Sequence, residues 1–490
     1  MTNALILAAV LLPLAGGVLL ALLPEERKRL LHGAVLAILL AEAAVVTALL
    51  FVPDTAFPLF SMTQTLRVNV RLDGVSRIFL AVGAYAFLAA AIYAFRYLEH
   101  AGRQRSFFAF YLLSLGALAG MDLAGNLITM YLFFEMVTLC SMPLVLHDRT
   151  EESIRAALKY LFYSVAGAFL ALCAIFFLGK YGTTLDFRPG GVLDPAQVQG
   201  HETLLRVVVF LGVLGFGAKA GLYPLHGWLP TAHPVAPAPA SAVLSGVIAK
   251  AGVFAILRLI YNCVGVDFLR GTWVQLAWLG LSLLTVFMGS MMAYREKVFK
   301  KRLAFSSVSQ ISYVLTGLFL LTPVGLQGGL LHVIFHACIK VCLFMTAGAF
   351  IHCLGAHRVD ELQGVGKAMP KTLWAFTLCA LALVGIPPAS GFISKWVLAQ
   401  GALESGLSVF SWLVPVVLLI SALLTAGYLL PITIDGFFPG KDCKALPARN
   451  PEGGAMMWAP MLVLGVAAIL MGLFSSGLSE LAASAAGALF

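Results

Sequence analysis

Glu135, Lys219, Lys250, His332, His336, Lys340 and Lys395 interrupt stretches that are otherwise apolar. A charge near the middle of a bilayer costs about 2.5–3.5 kcal/mol even on the translocon scale, so such residues are rare and line ion or proton routes. Snorkelling explains a charge close to a segment end, and Arg258 is read that way. Lys250 and Lys395 lie too deep for it. Burial disfavours the charged form of an amine, which makes a buried lysine able to gain and lose a proton. Glu135, in Y-L-F-F-E-M-V-T-L-C, would stay protonated alone but ionise beside a lysine. Glu135 and Lys219 are therefore paired in this reading. His332, His336 and Lys340 follow at i, i+4 and i+8, a polar stripe drifting slowly around one helical face. Histidine relays protons near neutrality. Interhelix hydrogen bonding is the plainer alternative. Metal binding lacks a nearby carboxylate to complete a ligand set.

The stretch 215–250 must position several of these groups. Lys219 and Lys250 flank a Pro-rich break carrying Pro224, His226, Pro230, His233, Pro234, Pro237 and Pro239. His226 and His233 either take up protons from the inner mouth or bond backbone carbonyls freed by the break. A second interrupted stretch, G-I-P-P-A-S-G-F-I-S-K-W at 385–396, again joins Gly and Pro to one lysine, Lys395. Paired breaks in corresponding positions point to inverted repeats with an ion site near the midplane. Pro143 and the Gly385–Gly391 run mark further kinks.

Composition agrees. Of 490 residues 60% are hydrophobic and 11% charged, where soluble domains carry about a quarter charged. The chain reads as an all-α polytopic membrane protein of about fourteen helices. Segments 5 (125–146), 7 (203–223), 8 (237–261), 11 (326–353) and 12 (372–402) carry the ionisable groups, with segments 7 and 12 broken. The expected division is 1–106 (helices 1–3), 107–262 (first inverted five-helix repeat), 263–436 (second repeat) and 437–490 (helix 14). Lys and Arg concentrate in alternate loops, among them Arg27, Lys28 and Arg29, Arg295 to Arg302, and Lys441, Lys444 and Arg449. By the positive-inside rule both termini lie outside, in a prokaryotic-type plasma membrane. The net charge of +9 is thus topological and implies no nucleic acid. The 8 cysteines, Cys443 among them, form no C-x-x-C, which leaves zinc and iron–sulfur sites without support. Gly215, Gly217 and Ala220 match the dinucleotide fingerprint G-x-G-x-x-A, but inside an apolar span without a strand–turn–helix setting. No cofactor or metal is expected.

Residues 219–245, K-A-G-L-Y-P-L-H-G-W-L-P-T-A-H-P-V-A-P-A-P-A-S-A-V-L-S, resemble the signature of the proton-conducting, antiporter-like membrane subunits. These occur in respiratory complex I, Mrp-type cation/proton antiporters and energy-converting hydrogenases. The resemblance extends over nearly the whole chain. It implies fourteen helices, inverted repeats in helices 4–8 and 9–13, and broken helices 7 and 12. It also implies a Glu135–Lys219 pair, a path continued by Lys250, His332 and His336 with Lys340 nearby, and a terminal group at Lys395. A lysine rather than a glutamate at that last position makes the chain look most similar to the D-type Mrp subunit and its hydrogenase or dehydrogenase counterparts.

The function expected is proton translocation, with sodium as a further candidate, in a multi-subunit membrane complex of Mrp, complex I or hydrogenase type. A self-sufficient secondary sodium/proton antiporter is the alternative; its sodium site would need carboxylates, and only Glu135 and the weaker Glu42 offer them. Missing cofactor motifs argue against a redox enzyme in itself, and any redox chemistry would sit on partner subunits. The charged series argues against an inert scaffold.

Overall fold

The computed structural model describes residues 2–22, 24, 27–63, 66–440 and 452–490; Lys441, Cys443, Lys444 and Arg449 lie outside them. The chain is helical almost throughout. It begins with α1 (Thr2–Leu22) and α2 (Lys28–Leu49), then a hairpin of β1 (Thr55–Ser61) and β2 (Arg67–Leu72). There follow α3 (Gly74–Tyr97), α4 (Gln104–Asp122), α5 (Leu127–Val145), α6 (Glu151–Tyr181), α7 (Glu202–Ala220) and the short α8 (Leu229–Val235). The next helix, α9, runs over Ala238–Val264. Then come α10 (Trp273–Arg295), α11 (Phe299–Phe319), α12 (Pro323–Leu354), α13 (Pro370–Val384), α14 (Ser390–Leu403), α15 (Val409–Phe437), α16 (Ala455–Leu473) and α17 (Ser476–Gly487). Among the described residues, 11 helices are long and apolar enough to cross a membrane. The other segments read as spans, α4, α11 and the α13–α14 pair, are helices too.

Burial ranks the helices. The most apolar stretch of α9 is 100% buried, against 33% for α15 and α16. Trp412, Leu419 and Leu423 on α15 and Phe162, Phe169 and Phe176 on α6 face outward, as lipid-contacting side chains do. Lys250 therefore rides on the most enclosed helix of the bundle.

Both interrupted stretches open at a glycine that ends a helix. Helix α7 ends at Gly221 in the left-handed region (φ 82°), which glycine adopts without a Cβ clash. The Trp228 indole then donates to the Ala218 carbonyl at 2.8 Å, satisfying one acceptor that the helix end exposes. Helix α13 ends likewise at Gly385 (φ 89°), and α14 begins at Ser390. The fingerprint-like glycines serve packing. A Cβ on Gly215 would stand 2.3 Å from the Gly167 carbonyl oxygen of α6, so the small residue lets two backbones meet.

Two features were not legible beforehand. Helix α9 contains two π-turn segments, Leu244–Ile248 and Arg258–Val264. The antiparallel hairpin β1–β2 leans on the α4–α5 loop through Arg71 N–H to Leu123 O and Gly125 N–H to Asn69 O, both 2.8 Å. It delivers Asp73 as the N-cap of α3, accepting from Ser76 N–H at 3.0 Å. This corrects the reading of Arg258 as a snorkelling residue. Its side chain is 0% exposed and lies across Asp73, with Nη1–Oδ2 and Nη2–Oδ1 both 2.8 Å. It also donates to Ser76 and Asn262, and Phe187 and Phe254 flank it. The pair forms because an arginine fork matches a carboxylate in two bonds, which offsets desolvation of both.

Candidate functional site

The first buried lysine, Lys219, sits in the last turn of α7 and faces α5. Its ammonium donates to Thr138 Oγ1 at 2.5 Å and to the Phe134 carbonyl at 3.4 Å, and stands 4.6 Å from the Phe134 ring centre. Glu135 is partly exposed and accepts from the Tyr131 hydroxyl at 3.1 Å. Among the described residues no ion pair joins Glu135 to Lys219. Thr138 is one helical turn beyond Glu135, so the lysine touches the α5 face that carries the carboxylate without reaching it.

Lys250 follows the first π-turn of α9. A π-turn displaces the i→i−4 ladder and exposes carbonyls, and here Lys250 Nζ donates to those of Gly246 and, at 3.4 Å, Ser245. Lys340 on α12 donates to Ser306 Oγ and, at 3.0 Å, to the Leu303 carbonyl, both on α11. Lys395 on α14 reaches back to the Leu383 and Val384 carbonyls at 2.6 and 2.8 Å. It thereby caps the C-terminus of α13, where the helix dipole favours a cation. The four lysines share one property: each ammonium is held by neutral oxygens, and no carboxylate pairs with any of them among the described residues. An amine held only by dipoles leaves no stranded anion when its proton departs.

On α12, His332 and His336 lie side by side, and His332 reaches toward Lys395. His332 bonds Ser394 Oγ at 2.9 Å and Gln310 Oε1 at 3.1 Å, and its ring stacks on those of Tyr313 and His336 at 5.3 and 5.8 Å. The Tyr313 ring centre is also 5.3 Å from Lys395 Nζ, so one tyrosine touches both the stripe and the terminal lysine. Both ring nitrogens of His336 are buried without a hydrogen-bond partner. The reading of the stripe as plain interhelix hydrogen bonding thus fits His332 and not His336.

The two histidines of the Pro-rich break part company. His226 stacks on Tyr223 at 5.7 Å in the turn, half-buried. His233 is fully buried, stacks on Phe344 at 4.6 Å, and has neither ring nitrogen bonded. Backbone repair is done instead by Ser241, whose hydroxyl donates to the His233 carbonyl at 3.0 Å. Lys340 Nζ is 5.9 Å from the same Phe344 ring. Beside the turn after His233 lies a cavity of about 440 Å³ lined by Asp148, Glu152, Pro234, Pro237, Lys300 and His357, among others. Lys300 is buried there and donates to the Ala236 carbonyl at 2.9 Å.

Sequence reasoning passed over α11. Its run Ser306, Ser307, Ser309, Gln310, Ser312 and Tyr313 is fully or nearly fully buried and supplies partners to Lys340, His332 and Lys395. The signal available was a density of hydroxyls unusual for an apolar segment.

Comparison with known proteins gives a consistent family. Residues 124–425 match the profile described as NADH:quinone oxidoreductase/Mrp antiporter, TM. NADH-quinone oxidoreductase subunit N of Desulforudis audaxviator is 34% identical over 423 residues, covering 83% of this chain and 82% of its own. The D-type subunit of the Bacillus subtilis Na(+)/H(+) antiporter is 28% identical, covering 82% and 79%. A chain in the structure of the Mrp complex from Dietzia sp. superposes with a TM-score of 0.85 at 25% identity, covering 100% of this chain and 97% of that one.

Proposed function

The chain belongs to the NADH:quinone oxidoreductase/Mrp antiporter transmembrane family, and from that premise we propose that this integral membrane protein is the proton-translocating subunit of a multi-subunit complex. Its partners are other membrane subunits of an Mrp-type, complex I-type or hydrogenase-type assembly. Sodium exchange extends the proposal on the strength of the Bacillus subtilis relative's name. The route enters beside the break between α7 and α9, with His233 ahead of His226 because its ring is buried and unbonded. It passes Lys219 and Lys250, then Lys340, His336 and His332, and leaves by Lys395. Glu135 modulates Lys219 from one turn away. The fourteen-helix count, the inverted repeats at 107–262 and 263–436, and both termini on the outer side belong to the same proposal.

The observation that carries it is the series of four lysines, three buried and Lys395 half-buried, each solvated by neutral oxygens alone. A protonated lysine repels its neighbour, and across a few ångströms at low effective dielectric that repulsion is several kcal/mol. Charge state can therefore propagate laterally from one lysine to the next. The experiment is Glu135→Gln in the assembled complex, reconstituted in vesicles. Proton flux should be lost while assembly is retained, and full flux would remove Glu135 as a modulator of Lys219.

A further inference from the structure

Lys250 stands on α9 and Lys340 on α12, and two serines lie between them. Ser245 Oγ of α9 and Ser307 Oγ of α11 are 2.6 Å apart, and either can be the donor. Ser245 also lends its carbonyl to Lys250 Nζ at 3.4 Å. On the other side, the Leu303 carbonyl accepts from Ser306 Oγ at 2.8 Å, Ser307 Oγ at 2.9 Å and Lys340 Nζ at 3.0 Å. A carbonyl oxygen has two lone pairs, so three side-chain donors compete for it. All of these side chains are buried.

From this we infer that the Ser245–Ser307 hydroxyl pair is a polarity switch coupling the charge state of Lys340 to that of Lys250. It rests on the functional reading above. With Lys340 protonated, its ammonium holds Leu303 O, and Ser307 turns its hydrogen toward Ser245. With Lys340 neutral, the amine accepts from Ser306, Ser307 donates to Leu303 O, and Ser245 donates to Ser307. Only O–H bonds rotate; no proton is gained or lost by either serine. The reversal alters the dipole facing the π-turn that holds Lys250. Ser245 and Ser307 are positioning residues, acting through the two lysines.

The test uses the assembled complex in vesicles, with proton flux followed by a pH-sensitive dye across the neutral range. Ser245→Ala and Ser307→Ala should each lower flux about fivefold or more, the scale of an ordinary coupling, and flatten its pH profile. The double variant should be no worse than either single one, and Ser307→Thr should restore both readouts. Should an alanine variant fail to assemble, Ser307→Cys keeps the bulk, bonds poorly and should show the same loss. Wild-type flux and pH profile in these variants, while Lys250→Ala abolishes flux, would overturn the switch alone. Unchanged flux in Lys250→Ala would overturn the functional reading and the switch with it.

Discussion

The guanidinium of Arg258 meets the carboxylate of Asp73 through two bonds of 2.8 Å, tying the hairpin-to-α3 junction to the most enclosed helix of the bundle. Breaking one partner of a buried pair leaves the other charged and unpaired, at a cost of about 3–5 kcal/mol. Asp73→Asn should therefore lower the unfolding temperature of the purified protein sharply. An unchanged melting curve would contradict the pairing.

The same contact sets a pH dependence. Burial acts to raise the pKa of Asp73, but the charge and hydrogen bonds of Arg258, the Ser76 N–H and the charge of Arg71 outweigh it and hold the carboxyl well below the usual carboxylate range. The folded value is thus lower than the unfolded one of about 3.9. Its contribution is fully present above that pH and is lost as pH falls toward the folded value. Stability of the wild type relative to Asp73→Asn should be constant from neutrality down to about pH 5 and shrink below about pH 4. A difference that grows on acidification would contradict the sign.

Gly215 and Gly217 offer a contrast within one motif. A Cβ on Gly215 meets backbone of α6 at 2.3 Å, whereas one on Gly217 meets only the Leu222 side chain, at 3.1 Å. Gly215→Ala should cost about 1–3 kcal/mol, as overpacking does, and Gly217→Ala less. Thermal melts of the two variants check this; equal effects would argue against packing as the reason for the glycines.

Tyr313 should matter through its ring. Tyr313→Phe keeps the face presented to Lys395 and His332 and loses the hydroxyl bond to the Leu418 carbonyl at 2.9 Å. Tyr313→Leu loses the face itself, a cation–π contact of about 0.5–2 kcal/mol. Proton flux should fall more in the leucine variant than in the phenylalanine one, and the reverse order would place the function in the hydroxyl.

The lysines and the two broken segments were legible in the sequence because a charge or a proline in an apolar run is costly whatever surrounds it. Arg258 was misread for the same reason: distance from a segment end is visible in one dimension, whereas its partner Asp73 lies 185 residues away. The hydroxyls of α11 were visible as a density of serines but not as a site, because serine in a membrane helix commonly bonds its own backbone, as Ser306 and Ser307 do to Leu303. Only the packing of α9, α10, α12 and α15 against that helix gives those hydroxyls partners on other elements. The hairpin and the π-turns of α9 are likewise consequences of neighbours, with no period of their own to read.

Passage of protons by way of Lys250 is the step on which the proposed route depends. Dye-monitored proton flux in vesicles containing the assembled complex, with Lys250→Ala compared against wild type at matched assembly, tests it most directly. Flux should be lost in the variant; undiminished flux would contradict the route.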